Sequence, residues 1–371
     1  MTSETQLGRG GRYLVTRYGD ESVRAYVPAP LPPDPPIVFL PLIRLWEEAN
    51  QALGRLDALS ALMPSVSLIL YTYVRKEAVL SSQIEGTQSS LSDLLLDENA
   101  DAVQEVSNYV RAFQFGLRRL RDGSPISNQL FREMHAILLP KGKGEFRRTQ
   151  NRVGAFVPPP PDQVMECMGA LETFLHTDRP DFPLLIKAGL AHVQFETIHP
   201  FLDGNGRIGR LIIPLLLCAS GVLREPLLYL SLYFKQHRST YYELLDRVRT
   251  EGDWESWLEF FLTGIRDTAG RAVTDAQRTI AMFEQDRQKI QALGRPAASV
   301  LRVFEHAQRS PILSIPNTAE KIGVSAPTVA KSLEHLRKLS IMRESTGRQR
   351  RRLFVYDAYL SILNEGTEPI R

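Results

Sequence analysis

The sequence predicts a mainly α-helical protein, in which a helical bundle carrying a small β-hairpin flap is followed by a C-terminal winged helix-turn-helix domain. Three observations support this prediction. Apolar residues recur at spacings of three and four along most of residues 42–292, as they do in amphipathic helices. Residues 152–158 are instead a short stretch with a glycine inside and prolines after it, which favours a hairpin. Beyond Pro296 the pattern becomes helix, turn, helix and two short strands.

The length and composition are those of a protein with two or three domains. The 371 residues carry a net charge of only +3, which argues against a surface built wholly for nucleic acid or membrane. Cys167 and Cys218 lie in apolar helical stretches and are expected to be buried thiols in a reducing compartment. Residues 1–26 lack an apolar signal core, and no uncharged apolar run of about 18 residues occurs. We therefore expect a cytoplasmic protein without a membrane partner.

The expected elements follow in chain order. Prolines crowd residues 28–36, so residues 1–36 are predicted to be a mostly irregular lead-in, with a ligand for an SH3-type domain as the alternative. Helices are expected within 42–96 and at about 101–121, 127–139, 163–177, 183–196, 206–220, 238–250 and 253–268. A long polar helix over about 271–292 is expected to lead to the C-terminal domain.

Residues 296–363 have the pattern of a winged helix-turn-helix. Helices are expected at 297–308 and 318–322, and Ser325 can cap a third helix. Residues 343–355 are predicted to be a two-stranded wing with Gly347 at its tip. Residues 296–371 hold 12 Lys and Arg against 7 Asp and Glu. The wing carries Arg348, Arg350, Arg351 and Arg352. A DNA partner and a protein partner for this domain are therefore both open.

Residues 199–210, which read HPFLDGNGRIGR, combine the residue types that a nucleotide phosphate requires. Glycines before a helix let its N-terminal N–H groups approach an anion, and the helix dipole favours negative charge there. Arg207 and Arg210 share a helix face and can each grip phosphate oxygens. Asp203 is a hard carboxylate that suits Mg²⁺. His199 can accept a proton near neutral pH.

Three other interpretations of this segment explain its residues less well. Its glycine spacing also matches a dinucleotide-binding fingerprint, with Glu225 at about the right distance, but no strand precedes it. His192 and His199 lack zinc-ligand spacing. A plain glycine turn with a capping aspartate explains Asp203 but not His199, Arg207 and Arg210 together.

The segment resembles the signature of the Fic family, H-x-F-x-(D/E)-G-N-G-R-x-x-R, at every specified position. The resemblance covers about residues 30–268 and implies a Fic-fold helical bundle. It also implies transfer of AMP from ATP, with Mg²⁺ or Mn²⁺, to a Ser, Thr or Tyr hydroxyl of a target protein or of the protein itself. The implied roles are His199 as general base, Asp203 as metal ligand, Gly204, Asn205 and Gly206 on the α- and β-phosphates, Arg207 on the leaving phosphates, and Arg210 on the γ-phosphate. A homodimer, common among relatives, is left open.

The same resemblance assigns two further parts of the nucleotide site. Residues 152–158 occupy the place of a flap that aligns the target by strand pairing, and a structural hairpin is the alternative. The flap residues expected at the ATP site are Val153, Gly154, Ala155 and Phe156. Tyr241 is predicted to face the base in preference to Tyr242, since adjacent helix positions point about 100° apart. Gln194 is expected at the pocket border, with an ordinary solvated glutamine as the alternative.

Residues 81–86, SSQIEG, resemble the family's inhibitory motif (S/T)-x-x-x-E-(G/N), formed here by Ser81, Glu85 and Gly86. The Glu85 carboxylate is expected to pair with Arg210 in the same chain and to compete with the γ-phosphate. Such a bond is worth ~1.5–3 kcal/mol, so productive ATP binding would weaken about ten- to a hundred-fold. The alternative is a helix capping box formed by Ser82 and Glu85.

The predicted layout is an N-terminal part (1–100), a catalytic core (101–268), a linker helix (269–295) and the winged-helix domain (296–371). The leading hypothesis is an autoinhibited protein adenylyltransferase. A DNA-binding regulator that senses nucleotide through its Fic portion is the alternative, as is a Fic enzyme that transfers another group such as UMP. His199 favours an enzyme, because sensing ATP needs no base, and Arg210 favours ATP in the AMP-donating orientation.

Overall fold

The computed structural model describes residues 9–62, 66–88, 90–96, 104–142, 144–177, 182–345 and 352–369. Helices dominate it, which confirms the prediction of a mainly α-helical protein. They are α1 (Ile43–Leu62), α2 (Val66–Ile84), α3 (Leu91–Leu96), α4 (Gln104–Arg121), α5 (Asn128–Leu138), α6 (Pro161–His176), α7 (Leu184–Ile198), α8 (Asn205–Ala219), α9 (Ser231–Gln236), α10 (Arg238–Glu251), α11 (Trp254–Gln291), α12 (Ala297–Arg309), α13 (Ile315–Ile322), α14 (Ala326–Lys338) and α15 (Asp357–Asn364). The strands are β1 (Gly11–Tyr18), β2 (Glu21–Pro28), β3 (Ile312–Ser314), β4 (Arg343–Glu344) and β5 (Leu353–Val355).

Helices α7 and α8 form the centre of the bundle. Helix α7 is buried on nearly every face, as expected of a helix that other helices surround. It packs against α6, α8 and α11, and Leu190, Ala191 and Phe195 are completely buried. Helix α8 is equally buried along its first three turns. The loop that joins α7 to α8, residues 199–204, is therefore held at both ends by the core.

The N-terminal residues correct one prediction. Within the expected irregular lead-in, β1 and β2 form an antiparallel hairpin in which Tyr13 is opposite Tyr26. The turn passes through Gly19, whose φ of 60° suits glycine. One face of β2 is buried through Val23, Ala25 and Val27, an alternation that the following prolines obscured. Residues 1–8 lie outside the described residues.

Helix α11 corrects a second prediction. The expected helices at 253–268 and 271–292 are one continuous helix of 38 residues. Beyond the expected break, Ala269, Ala272 and Ala276 are buried, and the Tyr73 hydroxyl donates to the Ala272 carbonyl at 3.1 Å. The predicted linker helix is thus part of the packed structure, because tertiary contacts cover the face that looked polar in sequence.

The C-terminal residues form a compact arrangement of α12, β3, α13, α14, β4, β5 and α15. The three strands make an antiparallel sheet in the order β3-β5-β4. Helix α13 begins three residues before the predicted start, and β3 and α15 were not predicted. Ser325 stands at the start of α14, but its hydroxyl meets the Thr328 hydroxyl at 2.8 Å instead of capping a backbone N–H.

The predicted basic wing is described only in part. Gly347, Arg348, Arg350 and Arg351 lie outside the described residues. Arg352 rests over the Phe354 ring, and Arg343 forms an ion pair with Asp357 at 2.7 Å. Within the described part of the chain, no helix has both the length and the apolarity needed to cross a membrane.

Candidate active site

The loop from His199 to Gly204 is shaped by two left-handed residues and one asparagine. His199 ends α7 with φ 50° and ψ 59°, a conformation that is uncommon outside glycine. Gly204 precedes α8 with φ 78°. The buried Asn205 side chain accepts from Phe201 N and donates to Phe201 O, both at 2.8 Å. Asn205 therefore fixes the loop with its side chain, in addition to any contact with phosphate.

The environment of His199 keeps its imidazole neutral. Burial lowers the pKa of His199 to about 4, so the ring is uncharged at pH 7 and carries a proton on only one of its two nitrogens. Its Nδ1 lies 3.4 Å from the Glu196 carbonyl oxygen. A proton on Nδ1 would leave Nε2 as the acceptor, which is the state that a general base requires.

Arg147 positions His199 and was not singled out in the sequence. Its Nε donates to the His199 carbonyl at 2.9 Å, and its Nη2 donates to the carbonyls of Pro159 and Ile198. The guanidinium is buried, and burial lowers its pKa to about 10. Arg147 thereby ties the end of α7 to the base of the flap.

His135 packs against the loop between α7 and α8, and the sequence did not single it out either. Its ring stacks on Phe201 with centroids 3.8 Å apart and planes 6° from parallel. Its Nε2 lies 2.9 Å from the Asp203 carbonyl oxygen. A histidine inside a predicted amphipathic helix gave no signal of this role, because the partner is about 70 residues away.

Arg210 is enclosed by the predicted inhibitory residues. Its Nε donates to Ser81 Oγ at 2.8 Å, and its Nη2 donates to Ser81 O at 2.9 Å and to Glu85 Oε1 at 2.6 Å. Ser81 and Glu85 are four residues apart on α2 and its C-terminal extension, so both face α8. The contact of Glu85 with Arg210 is the predicted one, and the contacts of Ser81 with the same guanidinium were not predicted.

Glu85 also occupies the first turn of α8. A side chain on Gly206 would collide with Glu85 Oε1, so only glycine fits against the carboxylate. Burial opposes ionisation of Glu85, but the Arg210 guanidinium prevails and lowers its pKa. Burial likewise opposes the charge on Arg210, and Glu85 raises its pKa overall. The Glu85 carboxylate therefore occupies a position at the N-terminus of α8 that would also favour a phosphate.

The capping-box interpretation of Ser82 and Glu85 is wrong. Helix α2 ends at Ile84, so Ser82 lies in its last turn and begins no helix. Glu85 N donates to Ser82 O at 3.1 Å, which closes the helix end, and Gly86 follows with φ 101°. Sequence spacing alone could not tell the start of a helix from its end.

Arg207 is held by an acidic residue that the sequence did not single out. Its Nη1 donates to Glu105 Oε1, from the first turn of α4, and its Nη2 lies 3.4 Å from Asp203 Oδ1. Thr87, just beyond the inhibitory motif, donates to the other Glu105 oxygen at 3.3 Å. The Arg207 Nε is buried without a hydrogen-bond partner among the described residues. Arg207 therefore keeps a donor for a ligand.

Asp203 is the candidate metal ligand. Its side chain is 75% exposed, and its Oδ1 accepts from Gly204 N at 2.6 Å. No group of three metal-ligating side chains occurs in the described part of the chain. Mg²⁺ usually binds through one or two carboxylates together with substrate phosphates and water, so a single exposed carboxylate fits such an ion.

The flap is a tight turn rather than a long hairpin. Val153 and Phe156 exchange both backbone hydrogen bonds across Gly154 and Ala155. Val157 O accepts from Tyr26 N at 2.9 Å, so the flap adjoins β2. Phe156 lies under the Arg249 guanidinium at 4.0 Å, and Val153 stays 39% exposed.

Two nucleotide-site predictions need correction. Tyr241 is completely buried, and its hydroxyl lies 2.9 Å from His192 Nε2. Tyr242 is the exposed member of the pair at 37%, so its ring is the one that a ligand can reach. The two rings point in different directions, as helix geometry predicts, but the prediction that Tyr241 faces the base in preference to Tyr242 was wrong.

Gln194 is also not at the border of this site. Its side chain is 3% exposed and donates to the Ala29 carbonyl at 2.8 Å. It lines a separate cavity of about 450 Å³ between the N-terminal hairpin, α6 and α7, together with Cys167. The solvated alternative is equally excluded, because Gln194 anchors the end of β2.

Family models match two parts of the chain. Residues 43–118 match the Fic/DOC family N-terminal model and residues 125–217 match the Fic/DOC family model. The Protein adenylyltransferase Fic of Culex quinquefasciatus is 38% identical over 118 residues, which are 32% of this chain and 22% of that protein. That of Drosophila grimshawi is 39% identical over 118 residues, 32% of this chain and 23% of that protein. The chain thus spans about a fifth of the length of these curated relatives.

Solved structures of Fic proteins have folds similar to that of this chain. A Fic family protein from Desulfovibrio desulfuricans G20 superposes with a TM-score of 0.56 at 21% identity, covering 87% of this chain and 97% of that one. Fic-1 from C. elegans superposes with a TM-score of 0.50 at 23% identity, covering 63% of this chain and 74% of that one. At these identities the likeness concerns the fold. Residues 43–118 and 125–217 therefore match Fic/DOC family models, and the chain has the Fic fold.

Proposed function

We propose that this protein transfers AMP from ATP to a hydroxyl group of a protein and that Glu85 restrains the reaction. The single observation that carries the proposal is the shared position of His199, Arg207 and Arg210 around the first turn of α8. A neutral base at the end of α7 and an anion-binding helix end with two arginines on α8 are joined by one short loop that the core holds at both ends. The adenylyltransferase names of the relatives support the same reaction.

The chemical step follows from the state of His199. Its Nε2 accepts the proton of a Ser, Thr or Tyr hydroxyl as the hydroxyl oxygen bonds to the α-phosphorus of ATP. The bond from that phosphorus to the bridging oxygen of the β-phosphate breaks, and pyrophosphate leaves with its electron pair. Holding the reacting atoms together and stabilising the developing charge supply most of the rate.

The chain offers distinct groups for the triphosphate. The N–H groups of Asn205 and Gly206 at the start of α8 would hold the α- and β-phosphates. Arg207, with an unsatisfied Nε, and Arg210 would bind the outer phosphates. Asp203 would hold Mg²⁺, which offsets phosphate charge when bound.

The restraint is a competition for one anion site. The Glu85 carboxylate bonds Arg210 and lies against Gly206, so the γ-phosphate and Glu85 cannot occupy this place together. ATP that binds with Glu85 in place must leave its γ-phosphate elsewhere, which misaligns the α-phosphorus. We therefore expect low AMP-transfer activity in the wild-type protein.

The proposal extends to the rest of the chain. The flap turn, whose Val153 is exposed, would receive an extended target segment by strand pairing. The order of helices and the β3-β5-β4 sheet support a winged helix-turn-helix within residues 296–369. Because α11 runs unbroken to Gln291, the boundary between this domain and the catalytic part would lie at 292–296.

Intact-mass measurement of the Glu85→Gly protein tests the function and identifies the group transferred. The protein is incubated with Mg²⁺ and either ATP or UTP, and self-modification is recorded. A mass gain of one AMP with ATP alone supports the proposal, since UMP addition would come from UTP and phosphorylation would add a phosphate mass. If neither nucleotide modifies the protein or an added polypeptide such as casein, AMP transfer is rejected. Glu334→Gly, which removes an exposed carboxylate on α14, is the matched control.

A further inference from the structure

Helix α15 and the residues that follow it, up to 368, lie directly against the inhibitory helix α2. The Gln83 side chain, inside the inhibitory motif, donates from Nε2 to the Thr367 carbonyl at 2.9 Å in a buried contact. Eleven residues earlier on α2, the Thr72 hydroxyl lies 3.3 Å from the Tyr359 hydroxyl of α15. The C-terminal tail, which we define as residues 364–368, and α15 thus follow α2 over three helical turns.

Two opposite faces of the last turn of α2 contact different parts of the molecule. Ser81 and Gln83 are two residues apart, about 200° around a helix, so they point in opposite directions. Ser81 faces Arg210, and Gln83 faces the tail. Both side chains are at most 2% exposed. The last turn of α2 is therefore enclosed between the phosphate-binding helix α8 and the tail, while Arg238 holds the Ile84 carbonyl at 3.2 Å.

The tail is fixed by its own contacts. Lys235 donates from Nζ to the carbonyls of Gly366, at 3.1 Å, and Glu368. Thr367 is 3% exposed and bonds back to the Asn364 carbonyl at 3.0 Å. Gly366 has φ 81°, and a Cβ there would approach Leu232 Cδ1 to 2.6 Å. A residue larger than glycine at 366 would displace the tail from α9.

We propose that the C-terminal tail is a strut that holds α2 in the position where Glu85 reaches Arg210. Loss of the tail contact leaves the Gln83 face of α2 uncovered and frees its last turn to move away from α8. Since Glu85 follows that turn by one residue, its contact with Arg210 weakens as the turn moves. This inference rests on the proposed function, in which the Glu85 contact is the restraint.

The strut also gives the C-terminal domain a physical route to the active site. Tyr359 packs edge-on against Phe283 of α11 with ring centroids 4.9 Å apart. The Tyr356 hydroxyl donates to Asp286 at 2.6 Å. Helix α15 is thus held to α11 at one end and continues into the tail at the other. A partner that shifts α15 would move the tail, and the tail would move α2.

The experiment uses full-length Gly366→Val, whose side chain strains the backbone and meets Leu232. Gly123→Val is the matched control, because Gly123 has φ 84° and open space around it in the turn before α5. Hydrogen exchange of residues 76–84 and the Kd for ATP in the presence of Mg²⁺ are measured for both, beside wild type and Glu85→Gly.

We expect Gly366→Val to speed exchange in the last turn of α2 and to lower the Kd for ATP several-fold, which is less than the about tenfold change expected of Glu85→Gly. Added to Glu85→Gly, it should tighten ATP no further, because both act on one contact. Wild-type exchange and affinity in Gly366→Val, or a gain that adds fully to that of Glu85→Gly, would overturn the strut.

A second variant guards against a folding defect. Gln83→Ala removes the bond to Thr367 from the α2 side and should reproduce the faster exchange if the strut is real. Slow exchange in a folded Gln83→Ala protein would count against the strut as well. Exchange and ATP affinity do not need turnover, so they decide the strut even if AMP transfer is absent. Failure of transfer in Glu85→Gly would instead reject the proposed function.

Discussion

Replacing Glu85 by glycine should tighten ATP binding, and the structure sets the size of the effect. The substitution removes the carboxylate that bonds Arg210 at 2.6 Å and lies against Gly206. A hydrogen bond between charged groups contributes ~1.5–3 kcal/mol, and about 1.4 kcal/mol is a factor of ten in affinity. About a third of the Glu85 side chain remains exposed, so solvent screening favours the lower end of that range. We expect about a tenfold lower Kd for ATP.

The assay is isothermal titration of ATP in the presence of Mg²⁺, with His199→Ala in every protein so that no nucleotide is consumed. Arg210 keeps its two bonds to Ser81, so the site should stay assembled in Glu85→Gly. Glu85→Gln, which retains the size but loses the charge, should fall between wild type and Glu85→Gly. An unchanged Kd in folded Glu85→Gly protein would refute the competition between Glu85 and the γ-phosphate.

Three further predictions concern the core of the site. Burial lowers the pKa of His192 to about 3 in the folded protein. As the pH drops from 6.5 towards 3, His192 takes up a proton in the unfolded chain but not in the folded protein, so the free energy of unfolding decreases. A constant melting temperature between pH 7 and pH 4.5 would contradict this. Asn205→Ala leaves the buried Phe201 N–H without its partner and the Phe201 carbonyl with only the Asn151 side chain at 3.3 Å. It should destabilise the fold by about 2 kcal/mol in urea titrations, whereas a loss below about 0.5 kcal/mol would exclude this anchoring role. Tyr242→Ala should weaken ATP about two- to tenfold if its exposed ring stacks on the base, and an unchanged Kd would remove it from the site.

The helices and the catalytic loop could be predicted because their signals are local. Helices α4 to α8 lie within a few residues of the predicted bounds, since apolar periodicity reports the buried face directly. The loop between α7 and α8 combines glycines, an aspartate and two arginines in a single stretch. The contact of Glu85 with Arg210 was expected only because a second motif was read together with the first.

The residues that sequence reasoning missed act through distant partners. Glu105 and Arg147 are ordinary charged residues in sequence, and only the fold brings them to Arg207 and His199. The choice between Tyr241 and Tyr242 failed for a related reason. Periodicity showed that one ring is buried, but the deciding contact is with His192, about 50 residues away. The β1–β2 hairpin was overlooked because the prolines after it suggested an irregular segment.

The dependence of AMP transfer on His199 tests the central claim most directly. Wild type, Glu85→Gly and the double variant Glu85→Gly/His199→Ala are incubated with α-labelled ATP, and label bound to protein is measured. We predict little label on wild type, strong labelling of Glu85→Gly and none on the double variant, while the double variant still binds ATP as tightly as Glu85→Gly does. Equal labelling of Glu85→Gly with and without His199 would contradict the account, because the site would then transfer AMP without its base.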